Sequence, residues 1–236
     1  MKYLPIILFM LVATGISGCV TPYDIPPDLL CASQPIPTTT AEIPPWEWDY
    51  SPLAIEGDFY NFAVGVCDAA WFTGNPYWTR IPCTGKENDP YGMVMAIKQP
   101  NVENDINYSS ALWVRPSPEY CWSEGDLAPT KHQPYIKGKY DCIEVDSKDR
   151  FHAWVGCMKG NLSCDVVFKL TVYGEHTQTT HGEWKETYDG SVTEVVMDLS
   201  SLAGNCVMFD LEVESNNLDV EYANALWLNP EIIKAK

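Results

Sequence analysis

The sequence predicts an all-β fold: a two-sheet antiparallel β-sandwich stapled by disulfide bonds. Three observations favour it. Apolar and polar side chains alternate along several short segments, turn-forming residues separate those segments, and no long amphipathic helix is apparent. Many short strands joined by such turns are typical of sandwiches and barrels, and a barrel is the alternative.

The clearest predicted strand covers 207–214, where apolar side chains point one way and carboxylates the other. The segment 166–173 alternates in the same way, and Phe151, Ala153 and Val155 mark a third strand. Shorter candidates cover 93–98 and 223–228, and turns are predicted at 159–161, 189–190 and 203–205.

The first 18 residues are predicted to be an export signal. Lys2 precedes an apolar run over 4–13 that is too short to span a membrane as a helix, and small residues follow it. The letters I-S-G-C at 16–19 resemble the lipobox of bacterial lipoproteins. This resemblance implies cleavage before Cys19 and its acylation by palmitate-type chains, whereas an ordinary secretory signal is the alternative.

The chain after the signal divides into two predicted parts. Residues 19–45 contain seven prolines, a composition typical of an extended tether. Residues 46–236 are predicted to form a single β-sandwich domain, long enough to bury a substantial core. Together, signal, anchor and tether predict an extracytoplasmic protein, lipid-anchored at the bacterial cell surface.

The cysteine count supports an oxidising compartment. Nine cysteines are present, and eight remain when Cys19 is set aside, an even number that predicts disulfides in an exported chain. A metal cluster is the weaker alternative, because there is no C-x-x-C and the four histidines lack zinc-type spacing. Short separations favour the pairs Cys67–Cys83 and Cys157–Cys164. The pairing of four other cysteines stays open: Cys31, Cys121, Cys142 and Cys206.

The formal net charge is −17, and it becomes −18 when Lys2 leaves with the signal. Such a charge argues against nucleic acid as a partner, because the phosphates repel it. It also repels anionic lipid headgroups, so we expect the protein to associate with the membrane through the lipid anchor only. We predict no cofactor and no catalytic metal. Structural calcium stays open, because hard cations bind carboxylate oxygens.

One nine-residue pattern occurs twice. Y-x-x-A-L-W-[VL]-x-P is found at 108–116 and again at 222–230. Two equivalent strands of a pseudo-symmetric sandwich would explain the echo, and coincidence between two core strands is the alternative.

The C-terminal third resembles a known family. F-H-A-W-V-G-C at 151–157 resembles the F-x-A-x-V-G strand of the novel putative carbohydrate-binding modules, and D-V-V-F-K-L at 165–170 is similar to their V-x-F-x-V strand. Trp184, Y-D-G at 188–190, V-x-x-D-L-S-x-L-A-G at 195–204 and A-L-W at 225–227 continue the likeness. The resemblance implies a galactose-binding-like jelly roll that contacts glycans. Such modules usually accompany a glycoside hydrolase domain, which this sequence does not contain.

Two aromatic segments are the candidate glycan-binding sites, because sugars stack on flat rings and bond through their hydroxyls. The first holds Asn75, Tyr77 and Trp78, and the second holds Trp122 and Asp126. The alternative is that these rings cap the ends of the sandwich. Four further tryptophans, in or beside strand-like segments, are expected in the core: Trp113, Trp154, Trp184 and Trp227.

The sequence favours non-catalytic glycan binding or adhesion, with a glycan or cell-wall polysaccharide as partner. A structural subunit of a surface layer, filament or multi-protein assembly is the alternative, with protein partners at the cell surface. We predict no enzyme, because no G-x-S-x-G or H-E-x-x-H occurs and the carboxylates are too numerous for any pair to indicate catalysis.

Overall fold

A computed structural model describes residues 59–73, 79–86, 89, 91–116, 134–174, 179–216 and 223–234. Within these residues, two antiparallel six-stranded sheets face each other across one hydrophobic core. The predicted all-β sandwich is therefore confirmed, and the barrel alternative is not adopted. None of the helical turns in the described part has the length and hydropathy that crossing a bilayer requires.

Within the described ranges, twelve strands and two short 3₁₀ turns follow one another. The strands are β1 Phe59–Asn61, β2 Ala69–Thr73, β3 Thr79–Ile81, β4 Gly92–Lys98, β5 Ser110–Pro116, β6 Tyr135–Glu144, β7 Arg150–Cys157, β8 Asp165–Tyr173, β9 Thr179–Thr187, β10 Thr193–Asp198, β11 Cys206–Ser215 and β12 Ala225–Ile233. The 3₁₀ turns cover Val66–Asp68 and Ser200–Leu202.

The first sheet has the order β10-β7-β12-β5-β4, and β1 pairs with the far end of β12, beyond the part of that strand that β5 reaches. The second sheet has the order β3-β2-β6-β11-β8-β9. All strand pairs within both sheets are antiparallel. The long strand β11 therefore lies near the middle of the second sheet, between β6 and β8.

The predicted strands are present as β11, β8, β7, β4 and β12. On β11 the predicted inward side chains are 0–1% exposed: Val207, Phe209, Leu211 and Val213. The predicted turns also join strands as expected. Gly160 and Gly190 have φ of +87° and +83°, a backbone region in which glycine carries no side-chain penalty.

Aromatic rings fill the space between the sheets. Phe62 lies 4.8 Å from Tyr140 and 5.4 Å from Phe151, and both pairs meet edge to face. Trp227 is fully buried and meets Phe168 edge to face at 5.1 Å. The expected core position of Trp227 is thus confirmed, and Trp184 is half-buried against the same core.

The repeated nine-residue pattern does not mark equivalent strands. Its two copies lie on β5 and β12, which are antiparallel neighbours in the first sheet, with Trp227 opposite Leu112 and Trp113 opposite Leu226. Trp227 and Leu112 belong to the main core, whereas Trp113 packs with Leu226 on the outer face. The pseudo-symmetry hypothesis is wrong, because matching letters of the motif point to opposite sides of the sheet.

Three disulfides staple the described strands. Cys67–Cys83 and Cys157–Cys164, the two pairs suggested by short separation, are joined, with Cα atoms 5.0 and 6.2 Å apart. A third disulfide joins Cys142 to Cys206 across the neighbouring strands β6 and β11. Cys31 and Cys121 lie outside the described residues. Paired cysteines of this kind are typical of proteins from oxidising compartments.

Candidate functional site

The five predicted glycan-binding residues lie outside the described part of the chain: Asn75, Tyr77, Trp78, Trp122 and Asp126. Cys19 lies outside it as well. The structure does describe the strand ends from which both aromatic segments continue. Segment 74–78 connects β2 to β3, and segment 117–133 leads into β6.

These strand ends are neighbours in the second sheet. The hydroxyl of Thr73, the last residue of β2, donates to the carbonyl oxygen of Tyr135, the first residue of β6, at 2.8 Å. The last residue of β11, Ser215, donates its backbone N–H to the oxygen of Pro134 at 2.8 Å. We call these meeting ends, Thr73, Tyr135 and Ser215, the open end of the second sheet. Both predicted segments therefore attach to the same place in the fold.

The outer face of the first sheet is covered by the chain itself. Segment 99–109, between β4 and β5, folds back over this face and buries Val102 and Tyr108 against Leu226 and Leu228. A bridge between Val102 and Met158 fixes the segment to the end of β7. The result is a second, smaller hydrophobic cluster outside the main core.

This smaller cluster holds two of the four tryptophans that the sequence placed in the core. Trp113 and Trp154 are half-buried there, not between the sheets. The Trp113 ring donates its N–H to the side-chain oxygen of Asn224 at 3.0 Å, and Trp154 lies 5.6 Å from Tyr108. Through Tyr108, Trp154 contacts segment 99–109 directly, whereas Trp113 is bonded to the residue that precedes β12.

Glu103 fastens segment 99–109, and sequence reasoning missed it. Its carboxylate is 7% exposed and accepts the backbone N–H of Cys157 at 2.7 Å, Asp189 at 2.9 Å and Gly190 at 3.0 Å. One carboxylate thus joins three parts of the chain. The donors are backbone groups, so the primary sequence carries no signal that would identify the acceptor.

An open depression of about 470 Å³ lies where segment 99–109 begins and ends, lined by Gln99, Asn107, Tyr108 and Ser109. Asn229 borders it and accepts from the Ser109 hydroxyl at 2.8 Å. Amide and hydroxyl groups make this lining polar and uncharged. It lies at the opposite end of β5 from Pro116, so it is separate from the open end of the second sheet.

The outer face of the second sheet is a ladder of alternating charges. Lys137 pairs with Glu212 at 2.7 Å, and Lys169 contacts both Glu212, at 3.5 Å, and Glu214. These four side chains are only 14–32% exposed. Cross-strand pairing thus balances the two signs of charge on this face.

Asp210 lies within this ladder, and it departs from the sequence-based expectation. The alternation of β11 places it on the outer face, opposite Lys139 on β6 and Thr171 on β8, yet it is only 5% exposed. The Tyr173 hydroxyl donates to its Oδ2 at 2.9 Å, while Oδ1 has no hydrogen-bond partner among the described residues. Burial raises the pKa of Asp210, although nearby Lys139 opposes the shift.

In the described ranges, no group of three or more histidine, cysteine, aspartate or glutamate side chains is arranged to hold a metal ion. The acidic residues of the charged ladder are instead engaged by lysines.

The sequence matches no protein-family profile and no curated protein. Similar solved structures include carbohydrate-binding modules. The module TmCBM61, in complex with beta-1,4-galactotriose, is 10% identical, with a TM-score of 0.43 over 74% of this chain and 94% of that one. The module CBM51 from Clostridium perfringens GH95, in complex with methyl-galactose, is 13% identical, with a TM-score of 0.35 over 79% and 95%.

A third similar structure holds the M60 catalytic domain of Clostridium perfringens ZmpB with two CBM51 domains. It is 15% identical, with a TM-score of 0.39, and the match covers 61% of this chain but only 13% of that one. Likenesses this distant concern the arrangement of strands.

Proposed function

We propose that the chain is a non-catalytic glycan-binding protein of the bacterial cell surface, anchored through acylated Cys19. Its binding residues are Asn75, Tyr77, Trp78, Trp122 and Asp126. The observation that supports this is the open end of the second sheet, where the Thr73 hydroxyl bonds to Tyr135 across two strand ends at 2.8 Å. Both aromatic segments continue from these ends, and we propose that they contact the same ligand.

The residue types suit a saccharide. Tryptophan and tyrosine rings stack on the C–H faces of a sugar, while amide and carboxylate groups bond to its hydroxyls. The proposal requires no cofactor.

Trp78→Ala and Trp122→Ala are each expected to weaken glycan binding by about fivefold to 150-fold, because each removes a stacking surface worth about 1–3 kcal/mol. The melting temperature should stay within about 2 °C of the wild type, since a surface substitution changes stability little. A glycan array identifies the ligand, and calorimetry then measures the affinities of the variants.

Phe59→Ala provides the matched control, because Phe59 is an aromatic side chain that is 50% exposed on β1, in the other sheet. It should bind like the wild type. A folded wild type that binds no glycan on the array contradicts the proposal. If Trp78→Ala and Trp122→Ala both unfold the domain, the rings belong to the core instead. A stable oligomer without glycan binding, seen by light scattering, would favour the structural subunit.

Cys19→Ser is expected to release the protein from the membrane fraction, because the thiol that carries the acyl chains is lost. Two or three chains are needed for stable anchoring, so the loss should be nearly complete. The measurement is fractionation of cells that express the full chain, with metabolic palmitate labelling as the direct readout. Unlabelled wild-type protein in the soluble fraction would instead indicate an ordinary secretory signal.

A further inference from the structure

The open depression at the base of segment 99–109 presents free polar groups that a small molecule can reach. Its lining side chains are Gln99, Asn107, Tyr108 and Ser109, and all but Tyr108 are exposed. The side-chain amides of Gln99 and Asn107 form no hydrogen bond within the part of the chain that the structure describes. The volume of about 470 Å³ lies within the range of roughly 300–1,000 Å³ that is typical of small-molecule sites.

The backbone around this depression has an uncommon conformation. Three non-glycine residues of the described ranges have a left-handed φ: Gln99 at +50°, Asp105 at +58° and Asn229 at +43°. Gln99 lines the depression, Asn229 borders it, and Asp105 lies in the same segment. This backbone region is unfavourable for residues that carry a Cβ, and such strain concentrates at ligand-binding sites. Its occurrence here favours a binding role for the depression.

Hydrogen bonds hold these strained residues in position. The backbone N–H of Gln99 donates to the oxygen of Ser109 at 3.3 Å, which joins the two ends of segment 99–109. The side-chain oxygen of Asn229 accepts from the Ser109 hydroxyl at 2.8 Å and from the backbone N–H of Ser110 at 3.0 Å. Glu103 fastens the middle of the segment. The backbone of the lining is therefore in place before a ligand binds, which lowers the entropy cost of binding.

The chemistry of the lining decides the class of ligand. Amide and hydroxyl groups line the depression, and no lysine, arginine, aspartate or glutamate of the described chain does so. A cation would therefore find no carboxylate there, and an anion would find no ammonium group and would be repelled by the net charge of −17. Side-chain amides both donate and accept hydrogen bonds, which suits the hydroxyl groups of a sugar. Tyr108 is only 7% exposed, so hydrogen bonding contributes more here than stacking.

We propose that this depression is a second glycan-binding site, which takes a short neutral saccharide through Gln99, Asn107 and Ser109. The ligand class rests on the proposed function, but the site is a different one. The seven residues of β5, about 20 Å of extended strand, lie between the depression and Pro116, after which segment 117–133 begins. A disaccharide is shorter than this distance, so we expect each site to bind its own ligand.

Equilibrium dialysis of the full chain in detergent measures how many labelled disaccharides bind to each chain, and how tightly. The probes are cellobiose, xylobiose and galactobiose, with digalacturonic acid as the charged comparison. We expect two sites per chain for at least one neutral disaccharide. Gln99→Gly combined with Asn107→Ala should weaken one site about 25-fold, because each lost hydrogen bond is expected to cost about fivefold. Trp78→Ala should weaken the other site.

Asn101→Ala is the matched control, because Asn101 is an exposed asparagine of the same segment that does not line the depression. It should bind like the wild type. The melting temperature of Gln99→Gly should stay within about 2 °C of the wild type, since glycine adopts the positive φ of this position without a side-chain penalty. If Gln99→Gly proves unstable, Asn107→Ala alone decides, and a loss below about twofold then overturns the second site.

The outcomes separate this inference from the proposed function. A loss below about fivefold in the combined variant overturns the second site, and so does an equal loss in Asn101→Ala; neither touches the proposed function if Trp78→Ala still weakens binding. Tighter binding of digalacturonic acid overturns the ligand class. Glycan binding on the array without any bound disaccharide overturns the second site alone. A folded wild type that binds no glycan of either kind overturns both proposals. Loss in the combined variant, with the melting temperature retained, supports the second site.

Discussion

Glu103→Ala is expected to lower the free energy of unfolding by about 3 kcal/mol, because a buried backbone N–H loses its acceptor. The carboxylate accepts three backbone N–H groups, from Cys157, Asp189 and Gly190. Cys157 is fully buried, so its N–H loses its partner without gaining water. Asp189 and Gly190 are exposed and can be hydrated, which keeps the loss below that of three buried donors.

Urea denaturation of the wild type and of Glu103→Ala measures this difference. Glu103→Gln should lie between the two, because its single amide oxygen can replace only part of the acceptor set. Glu183→Ala, which removes an exposed carboxylate, should change stability by less than about 0.5 kcal/mol. We call the Glu103 carboxylate with its three backbone donors the Glu103 clamp. Faster hydrogen exchange at the Cys157 amide in Glu103→Ala would show that the loss of stability arises at this clamp. A loss below about 1 kcal/mol would show that segment 99–109 is held mainly by Val102 and Tyr108.

Glu186→Gln is expected to raise the free energy of unfolding by about 3 kcal/mol above pH 7, since one pKa unit corresponds to about 1.4 kcal/mol. Glu186 is 5% exposed on the inner side of β9. Its burial, with a smaller contribution from Glu103 and Asp189, raises the pKa from 4.5 to about 7, while a hydrogen bond with Thr193 opposes the shift. The amide has the same shape and no charge to bury.

The sign of the pH dependence follows from linkage. Between pH 4.5 and about 7 the folded state keeps a proton on Glu186 that the unfolded state has lost. Raising the pH therefore destabilises the wild type over this window, and the loss is complete above about pH 7. In Glu186→Gln this component should be absent, so the two proteins differ most at pH 8 and little at pH 4.

Urea denaturation at pH 4, 6 and 8 tests this pH dependence. The contributions of the other titrating groups cancel when the free energies of unfolding of the wild type and the variant are subtracted. Glu183→Gln, on the exposed side of the same strand, is the control and should follow the wild type. A constant difference between the wild type and Glu186→Gln at all three pH values would mean that the carboxyl is not protonated in the folded state near neutral pH.

Alternation of side chains predicted five of the strands, but it did not predict how deeply every side chain on them is buried. The 207–214 pattern correctly separates Phe209 and Leu211 from Asp210 and Glu212. It did not predict that Asp210 is nearly as buried as its inward neighbours, since burial on an outer face depends on what adjacent strands place beside it. Lys139 and Tyr173 come from β6 and β8, far away along the chain.

Matching motif letters predicted the position of a side chain in the fold less reliably than the periodicity of apolar residues. The repeated A-L-W segments are real strands, but antiparallel pairing puts Trp113 and Trp227 on opposite faces. Gly156, the glycine of the F-x-A-x-V-G strand, has a physical reason in this chain. A Cβ there would lie 2.6 Å from Val192 Cγ1, so a side chain would displace the β9–β10 connection from the sheet.

For the disulfides, the separation along the chain decided which pairs could be predicted from the sequence and which could not. Cys157–Cys164 closes a short turn, and Cys67–Cys83 closes the loop around β2 and β3, so short separation favours both pairs. Cys142–Cys206 spans 64 residues and exists because β6 and β11 are neighbours, with Cys206 opposite Glu144. No spacing rule supplies that neighbour relation.

By itself, the sequence determined the all-β class and the positions of five strands, with the inward face of the clearest of them, because these depend on alternation and turn chemistry within a few residues. Only the tertiary structure decided which strands are neighbours, and with that the Glu103 clamp, the buried Asp210 and the meeting of Thr73 with Tyr135. The physical reason is that these contacts join residues from distant parts of the chain, and their energies depend on distance and burial that local patterns do not encode.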